Sequence, residues 1–355
     1  MKTSEDFKIS GTLGFVHAII DFTSAITIFL CASANNLQPD YVFRNAIIYN
    51  SIAFGSQFIF GLISDLSNRA RLTMLLGIAL AAAGLISAPF TVLPAILLVA
   101  TGNSLFHVGA GSIVLRINPS KAVHPGVFVA PGAIGLAIGI WFGKQGEWFL
   151  LPTVVLLTIS FAAAFLISAK IDNVNKPIVT EKRSFPLVSL IVLLLMVSVG
   201  IRALGGSMGG SFCLKSTYTP LIIALAAFSG KFMGGFVADR FGWIKSSVIA
   251  LLFSVVVFKF LPGTAFAFMG IMLFQMTMPV TLAALYNALP LRSGFAFGLA
   301  CLALVAGTLP TFFPETKPVI SIEFFSTAAF IAALCITAAL LLLSKRSQGD
   351  QRKSL

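Results

Sequence analysis

Long apolar runs and short polar breaks alternate along the whole chain. A helix needs about 17–25 mostly apolar residues to cross a bilayer core. Runs of that length fall near 11–34, 44–64, 71–89, 92–116, 126–143, 148–169, 186–208, 218–239, 243–262, 264–289, 293–313 and 321–344. The pattern predicts an all-α membrane protein with twelve transmembrane helices. The breaks are too short to hold a soluble domain. The longest polar one, "KIDNVNKPIVTEKRSF" at 170–185, sits at the midpoint. It predicts an N-terminal six-helix half over 1–169, a cytoplasmic central loop over 170–185 and a C-terminal six-helix half over 186–355.

Composition agrees. Of 355 residues, 57% are hydrophobic and 10% charged, and the mean hydropathy is +0.98. A soluble domain carries about 25% charged residues. The net charge of +12 does not point to nucleic acid, because the basic residues stand singly or in pairs between apolar runs. Placed on alternate sides, most Lys and Arg fall with the termini and the central loop. Only Arg44, Lys144, Lys215, Lys259 and Lys317 fall opposite, and Arg202 and Lys231 lie within spans. The positive-inside rule then puts both termini in the cytoplasm of a multi-pass protein of the inner or plasma membrane. No cleavable signal peptide is expected, since "MKTSEDFKIS" is polar and the following apolar run is long. Cys31, Cys213, Cys301 and Cys335 show no disulfide or metal spacing.

The two halves repeat. "FIFGLISDLSNRAR" (58–71) aligns with "FMGGFVADRFGWIK" (232–245), so that Gly61 matches Gly235, Asp65 matches Asp239 and Arg71 matches Lys245. At a nearly equal offset "SLFHVGAG" aligns with "MLFQMTMP", pairing His107 with Gln275, and "GVFVAPGAIGLAIG" aligns with "GFAFGLACLALVAG". Parallel repeats about an axis along the membrane normal are a transporter architecture.

These paired loops resemble the G-x-x-x-D-x-x-x-R/K signature of the major facilitator superfamily. Its residues here are Gly61, Asp65, Arg69 and Arg71 after the second span, and Gly235, Asp239, Arg240, Gly242 and Lys245 after the eighth. Glycine at these places lets helices approach closely. The acids end their helices beside basic residues, in pairs that would lock the cytoplasmic side and break as the halves rock. Within the superfamily, "HAIID", "GNSLFHVGAG" and "GVFVAPGAIG" look like the fosmidomycin-resistance type of exporter. Two departures stand out. The early arginine of the fourth span in many proton-coupled members is missing, and Ala130-Pro131-Gly132 with Gly135 and Gly139 matches the antiporter motif in part.

Ionisable residues inside spans cost about 2.5–3.5 kcal/mol each at a helix centre and mark function. At 1.5 Å per residue, Asp21 lies about 15 Å into its helix. Lys231 is roughly 12 Å and His107 about 13–14 Å from the cytoplasmic end, with Arg202 about 24 Å up. His17 and Asp21 share a face at i, i+4, as do Asn103 and His107. Gln57 is the repeat-mate of Lys231, and Gln275 that of His107. In the resembling superfamily the first, fourth, seventh and tenth spans line the cavity, which implies that Asp21, His107, Arg202 and Gln275 surround it. Plainer roles stay open: His17 satisfying Asp21 only, His107 bonded to Asn103 or a neighbouring helix, Lys231 as a structural pair, and Arg202 snorkelling outward.

The expectation is a secondary transporter for a small organic, anionic solute, working by proton-coupled efflux with Asp21 as proton carrier and His17 beside it. Alternatives are proton-independent or symport uptake and, more remotely, a receptor or scaffold. Enzyme motifs, metal-ligand clusters and a nucleotide loop are absent, so neither cofactor nor metal is expected. "GGSMGG" (205–210), at the outer end of the seventh span, reads as flexibility or close packing. The expected partners are the solute, protons and the lipid bilayer, with the chain acting as a monomer.

Overall fold

The computed structural model describes residues 2–145, 149–169, 184–208, 216–312 and 321–351. Most of the central loop at 170–185, the end of "GGSMGG" and Cys213 therefore lie outside the described residues. Helices run over α1 (Lys2–Ala34), α2 (Pro39–Ala53), α3 (Gln57–Ser67), α4 (Ala70–Ser87), α5 (Leu93–Ile117), α6 (Val123–Lys144) and α7 (Leu150–Ser168). They continue as α8 (Phe185–Met208), α9 (Thr219–Phe241), α10 (Trp243–Phe260), α11 (Thr264–Gln275), α12 (Met278–Ala288), α13 (Ser293–Thr308) and α14 (Ile322–Gln351). Among the described residues twelve membrane-length apolar spans result, because α2 with α3 and α11 with α12 each form one interrupted span. The chain is a multi-pass membrane protein, all-helical among the described residues.

Proline opens α2, α5, α9 and α12, where its missing N–H costs nothing. The two signature loops turn in the same way. Asn68 ends α3 at φ 52 and its repeat-mate Gly242 ends α9 at φ 97, both on the left-handed side that closes a helix. Each turn leads directly into the next helix.

The chain forms two compact units, residues 1–118, 127–175 and 292–302 in one, and 119–126, 176–291 and 303–355 in the other. The start of the fifth span thus packs with the second unit, and the first part of α13 with the first.

In the first unit α5 is buried over most of its length. It meets α4 backbone to backbone: a Cβ on Gly102 would lie 2.7 Å from the Gly77 carbonyl oxygen, and one on Gly109 2.7 Å from that of Ala70. Small residues do this in membranes, where the apolar effect between helices is weak and contact must supply the attraction. Along α1 the hydroxyls of Thr23, Ser24 and Thr27 bond the carbonyl four residues back, so they are satisfied without water. In the second unit α14 packs against α8 and α10, and the Ser198 hydroxyl donates to the Ala332 carbonyl at 3.0 Å. Large apolar side chains such as Leu166, Ile249 and Leu334 stay exposed, as lipid-facing positions require.

Candidate functional site

His17 and Asp21 are one turn apart on α1, and His107 and Asn103 one turn apart on α5. All four are buried; Asp21 is 8% exposed and Asn103 0%. The fold brings both pairs together. Nε2 of His17 lies 3.1 Å from Asp21 Oδ2 and 2.8 Å from Nε2 of His107, which is 3.7 Å from Asp21 Oδ1. The Asn103 amide donates to Asp21 Oδ1 at 2.9 Å and to the Ser24 hydroxyl oxygen at 3.2 Å.

Hydrogen-bond bookkeeping decides the chemistry. Nδ1 of His17 is 2.9 Å from the Phe128 carbonyl oxygen, and Nδ1 of His107 is 2.8 Å from the Asn103 carbonyl oxygen. Carbonyls only accept, so each Nδ1 carries its ring's proton. In neutral rings both Nε2 atoms are then bare lone pairs facing each other and a carboxylate. The arrangement calls for a cation at its centre. Sequence spacing shows no ligand cluster, yet these three residues gather ligand atoms within 4.8 Å of one another, a spacing one cation can bridge.

Other parts of the first unit hold this cluster. Phe54, Phe106, Phe128 and Phe297 surround the imidazoles at ring separations of 4.9–6.4 Å. Across from them runs α6. A Cβ on Gly132 would press on His17 Nε2 and lie 2.7 Å from Asp21 Oδ2. Farther along, Gly135 and Gly139 sit against the backbone of Ala18 and Phe22. Phe128 was not among the residues singled out from the sequence. Gly132 was visible as part of a glycine pattern, but nothing local tied it to a histidine over a hundred positions earlier.

The second unit has its own buried charge. Arg202, on α8, is 6% exposed, so it does not snorkel. Its Nε–H donates to the Ser198 carbonyl at 3.1 Å, Nη1 to the Thr277 hydroxyl oxygen and Nη2 to that of Thr281 at 2.7 Å. Thr277 caps α12, where the tenth span is interrupted. Gln275 ends α11 beside that break and is half-buried, as is Lys231 on α9. A Cβ on Gly126 would lie 2.7 Å from the Lys231 carbonyl oxygen. Gln57 opens α3 in the first unit, fully buried, with its amide donating to the Ala53 carbonyl at 2.7 Å and its oxygen unpartnered.

The signature residues split into caps and surface charges. Asp65 Oδ1 and Oδ2 accept from the N–H groups of Gly294 and Phe295 at 2.9 and 2.8 Å. Its mate Asp239 accepts from Ala122 and Val123 at 2.8 and 3.0 Å, and from Trp243 Nε1 at 3.0 Å. Basic partners were expected for both acids. Backbone donors hold them directly, because the first turn of α13 and of α6 offers N–H groups with no partner of their own, and the positive charges of Arg116 and Arg292 also act on Asp65. A carboxylate there also faces the positive helix end. Gly61 and Gly235 permit the contact: a Cβ on Gly61 would strike the Gly294 carbonyl, and one on Gly235 would lie 2.6 Å from Val123 Cα. Arg71 reaches sideways, donating to the Phe165 carbonyl at 3.2 Å with its guanidinium 4.7 Å from that ring's centre. Arg69, Arg240 and Lys245 are exposed.

Asp239→Ala should therefore destabilise the protein by about 1–3 kcal/mol, the cost of orphaned helix-end donors. Asp239→Asn, which keeps one acceptor, should lose less. Denaturant unfolding in detergent reads the order of the two variants.

No protein-family model and no curated protein matches the sequence. Among solved structures the chain is similar to a variant of the E. coli Fucose:proton symporter, FucP, with a TM-score of 0.60 and 15% identity over 95% of this chain and 97% of that one. It is also similar to FucP in the outward conformation, described as a Major Facilitator Superfamily transporter, with a TM-score of 0.59, 15% identity and the same coverage. At that identity the likeness is one of fold: this chain has the twelve-helix major facilitator fold.

Proposed function

We propose that the protein is a secondary active transporter that moves a small organic solute across the cell membrane by alternating access, coupled to protons and working in efflux. The observation that carries the reading is the buried meeting of His17 Nε2, His107 Nε2 and the Asp21 carboxylate. One added proton turns two opposed lone pairs into a hydrogen bond and gives Asp21 a cation to balance. Imidazole changes charge in the physiological pH range, which suits a reversible proton load. The Asp21 carboxylate, taken from sequence as the carrier with His17 beside it, shares that task with His107 as well.

Three further points support the reading. A solved neighbour with this fold is a fucose:proton symporter by its own description. The capping acids Asp65 and Asp239 hold helix starts through bonds that a moving helix can release, in keeping with a gate. Efflux follows the resemblance of the first, fourth and fifth spans to the fosmidomycin-resistance exporters. Both termini are placed in the cytoplasm by the distribution of Lys and Arg, and the monomer is the working unit.

The test is flux in proteoliposomes, using a solute found by a thermal-shift screen on purified protein. An imposed pH gradient should drive accumulation, and a protonophore should abolish it. Accumulation indifferent to the protonophore would overturn proton coupling.

A further inference from the structure

We infer that Arg202 and the interrupted tenth span form a binding subsite for an oxyanion, and that the transported solute carries a carboxylate or phosphonate group there. This deepens the transport reading and rests on it for the word solute, while the subsite itself stands on its own geometry.

The starting point is a charge without a counter-charge. Arg202 is 94% buried, and among the described residues no carboxylate lies within ion-pair distance of it. Three neutral oxygens hold it: the Ser198 carbonyl and the Thr277 and Thr281 hydroxyls. Both hydroxyls spend their own protons on backbone, Thr277 toward the Phe274 carbonyl at 3.4 Å and Thr281 toward the Thr277 carbonyl at 2.9 Å. They can only accept from the guanidinium. Its position and orientation are thus fixed while its charge is left uncompensated.

The unused donors match an oxyanion. A guanidinium has five N–H groups, and three are engaged here. One remains on each terminal nitrogen, the fork that grips two oxygens of a carboxylate or phosphonate. A second observation points the same way. Thr277 stands at the N-cap position of α12, an eleven-residue helix, and its hydroxyl accepts from Arg202, so the helix's positive end lies beside the guanidinium. Two positive features side by side repel each other unless an anion joins them. Discontinuous helices in transporters present such ends to anionic groups. Thr277 and Thr281 were not singled out from sequence, because only the break after α11 turns them toward α8.

The experiment uses purified full-length protein in an uncharged detergent, with benzoate and methylphosphonate as probes and benzyl alcohol as the neutral control. Both anions should raise the unfolding temperature of the wild type, and benzyl alcohol should not. Arg202→Gln and the milder Thr281→Val should weaken benzoate binding, by about ten- to hundredfold for Arg202→Gln, the loss of charge-assisted hydrogen bonds. Thr281→Asp supplies a permanent carboxylate to Arg202. It should raise the unfolding temperature of the unliganded protein and abolish the benzoate response. The inference is overturned if both anions act no more than benzyl alcohol, or if Arg202→Gln responds like the wild type. It is also overturned if only added phosphatidylglycerol stabilises the protein, which would make the anion a lipid headgroup. Intact benzoate binding without any flux would remove the transport reading alone. Anion flux unaltered by Arg202→Gln would remove this inference alone.

Discussion

Asp21→Asn is expected to bring pH-gradient-driven flux down to the level of protein-free liposomes while leaving a folded protein. Asparagine keeps the size of the side chain and still offers an oxygen to the Asn103 amide, now 2.9 Å from Asp21 Oδ1. What it cannot keep is the negative charge. A proton on either Nε2 would then make a buried imidazolium with no counter-ion, which is among the costlier arrangements in a protein interior. The cluster would stay unloaded, and flux would lose its coupling. The stability cost should be modest, about 1–3 kcal/mol for one altered buried hydrogen-bond set. His107→Gln should show the same loss of coupling, since it removes one of the two lone pairs. Thermal unfolding and solute-induced stabilisation should persist in both variants, separating a lost proton site from a lost fold. Full gradient-driven flux in Asp21→Asn would end the proposal that this carboxylate serves proton coupling.

Gly132→Ala should be nearly as damaging to transport although it adds one methyl group. Its Cβ would press on His17 Nε2 and stand 2.7 Å from Asp21 Oδ2. Helix α6 cannot back away, because Gly135 and Gly139 hold it against α1 just beyond. The imidazole must move, and the 2.8 Å approach of the two Nε2 atoms is lost with it. Overpacking of this kind costs about 1–3 kcal/mol. Gly11→Ala on the same α1 is the control. A Cβ there meets nothing within 4 Å, so this change should be neutral or stabilise by about 0.5–1 kcal/mol through helix propensity. Flux and unfolding measured on both variants decide it: equal flux in Gly132→Ala and wild type would show that His17 does not need its present place.

Much of the architecture was legible in the chain itself. Twelve apolar runs, the charge bias and the internal repeat are properties of residues counted along a line, and a helix in lipid must satisfy its own backbone. The interruptions of the second and tenth spans were not foreseen. Each leaves an apolar run long enough to read as one span, and the local marks, Gly55-Ser56 at one break and Pro279 just past the other, are residues that also occur inside unbroken spans. Nor does the repeat reveal that residues 119–126 and 292–302 change sides between the compact units.

The site divides in the same way. The i, i+4 pairing of His17 with Asp21 and of Asn103 with His107 follows from helix periodicity, and counting residues places Asp21 and His107 at one depth. By itself, then, the sequence determined which polar groups share a face and a level in the membrane. It could not determine that the two imidazoles meet Nε2 to Nε2. That depends on the Phe128 carbonyl of α6 and the Asn103 carbonyl of α5 claiming the other nitrogens. Likewise the depth of Arg202 was plain, but its hydrogen-bond partners, two threonines at a break in another helix, were not. Only tertiary structure decided these points, because a hydrogen bond's direction is set by partners that are far apart in sequence.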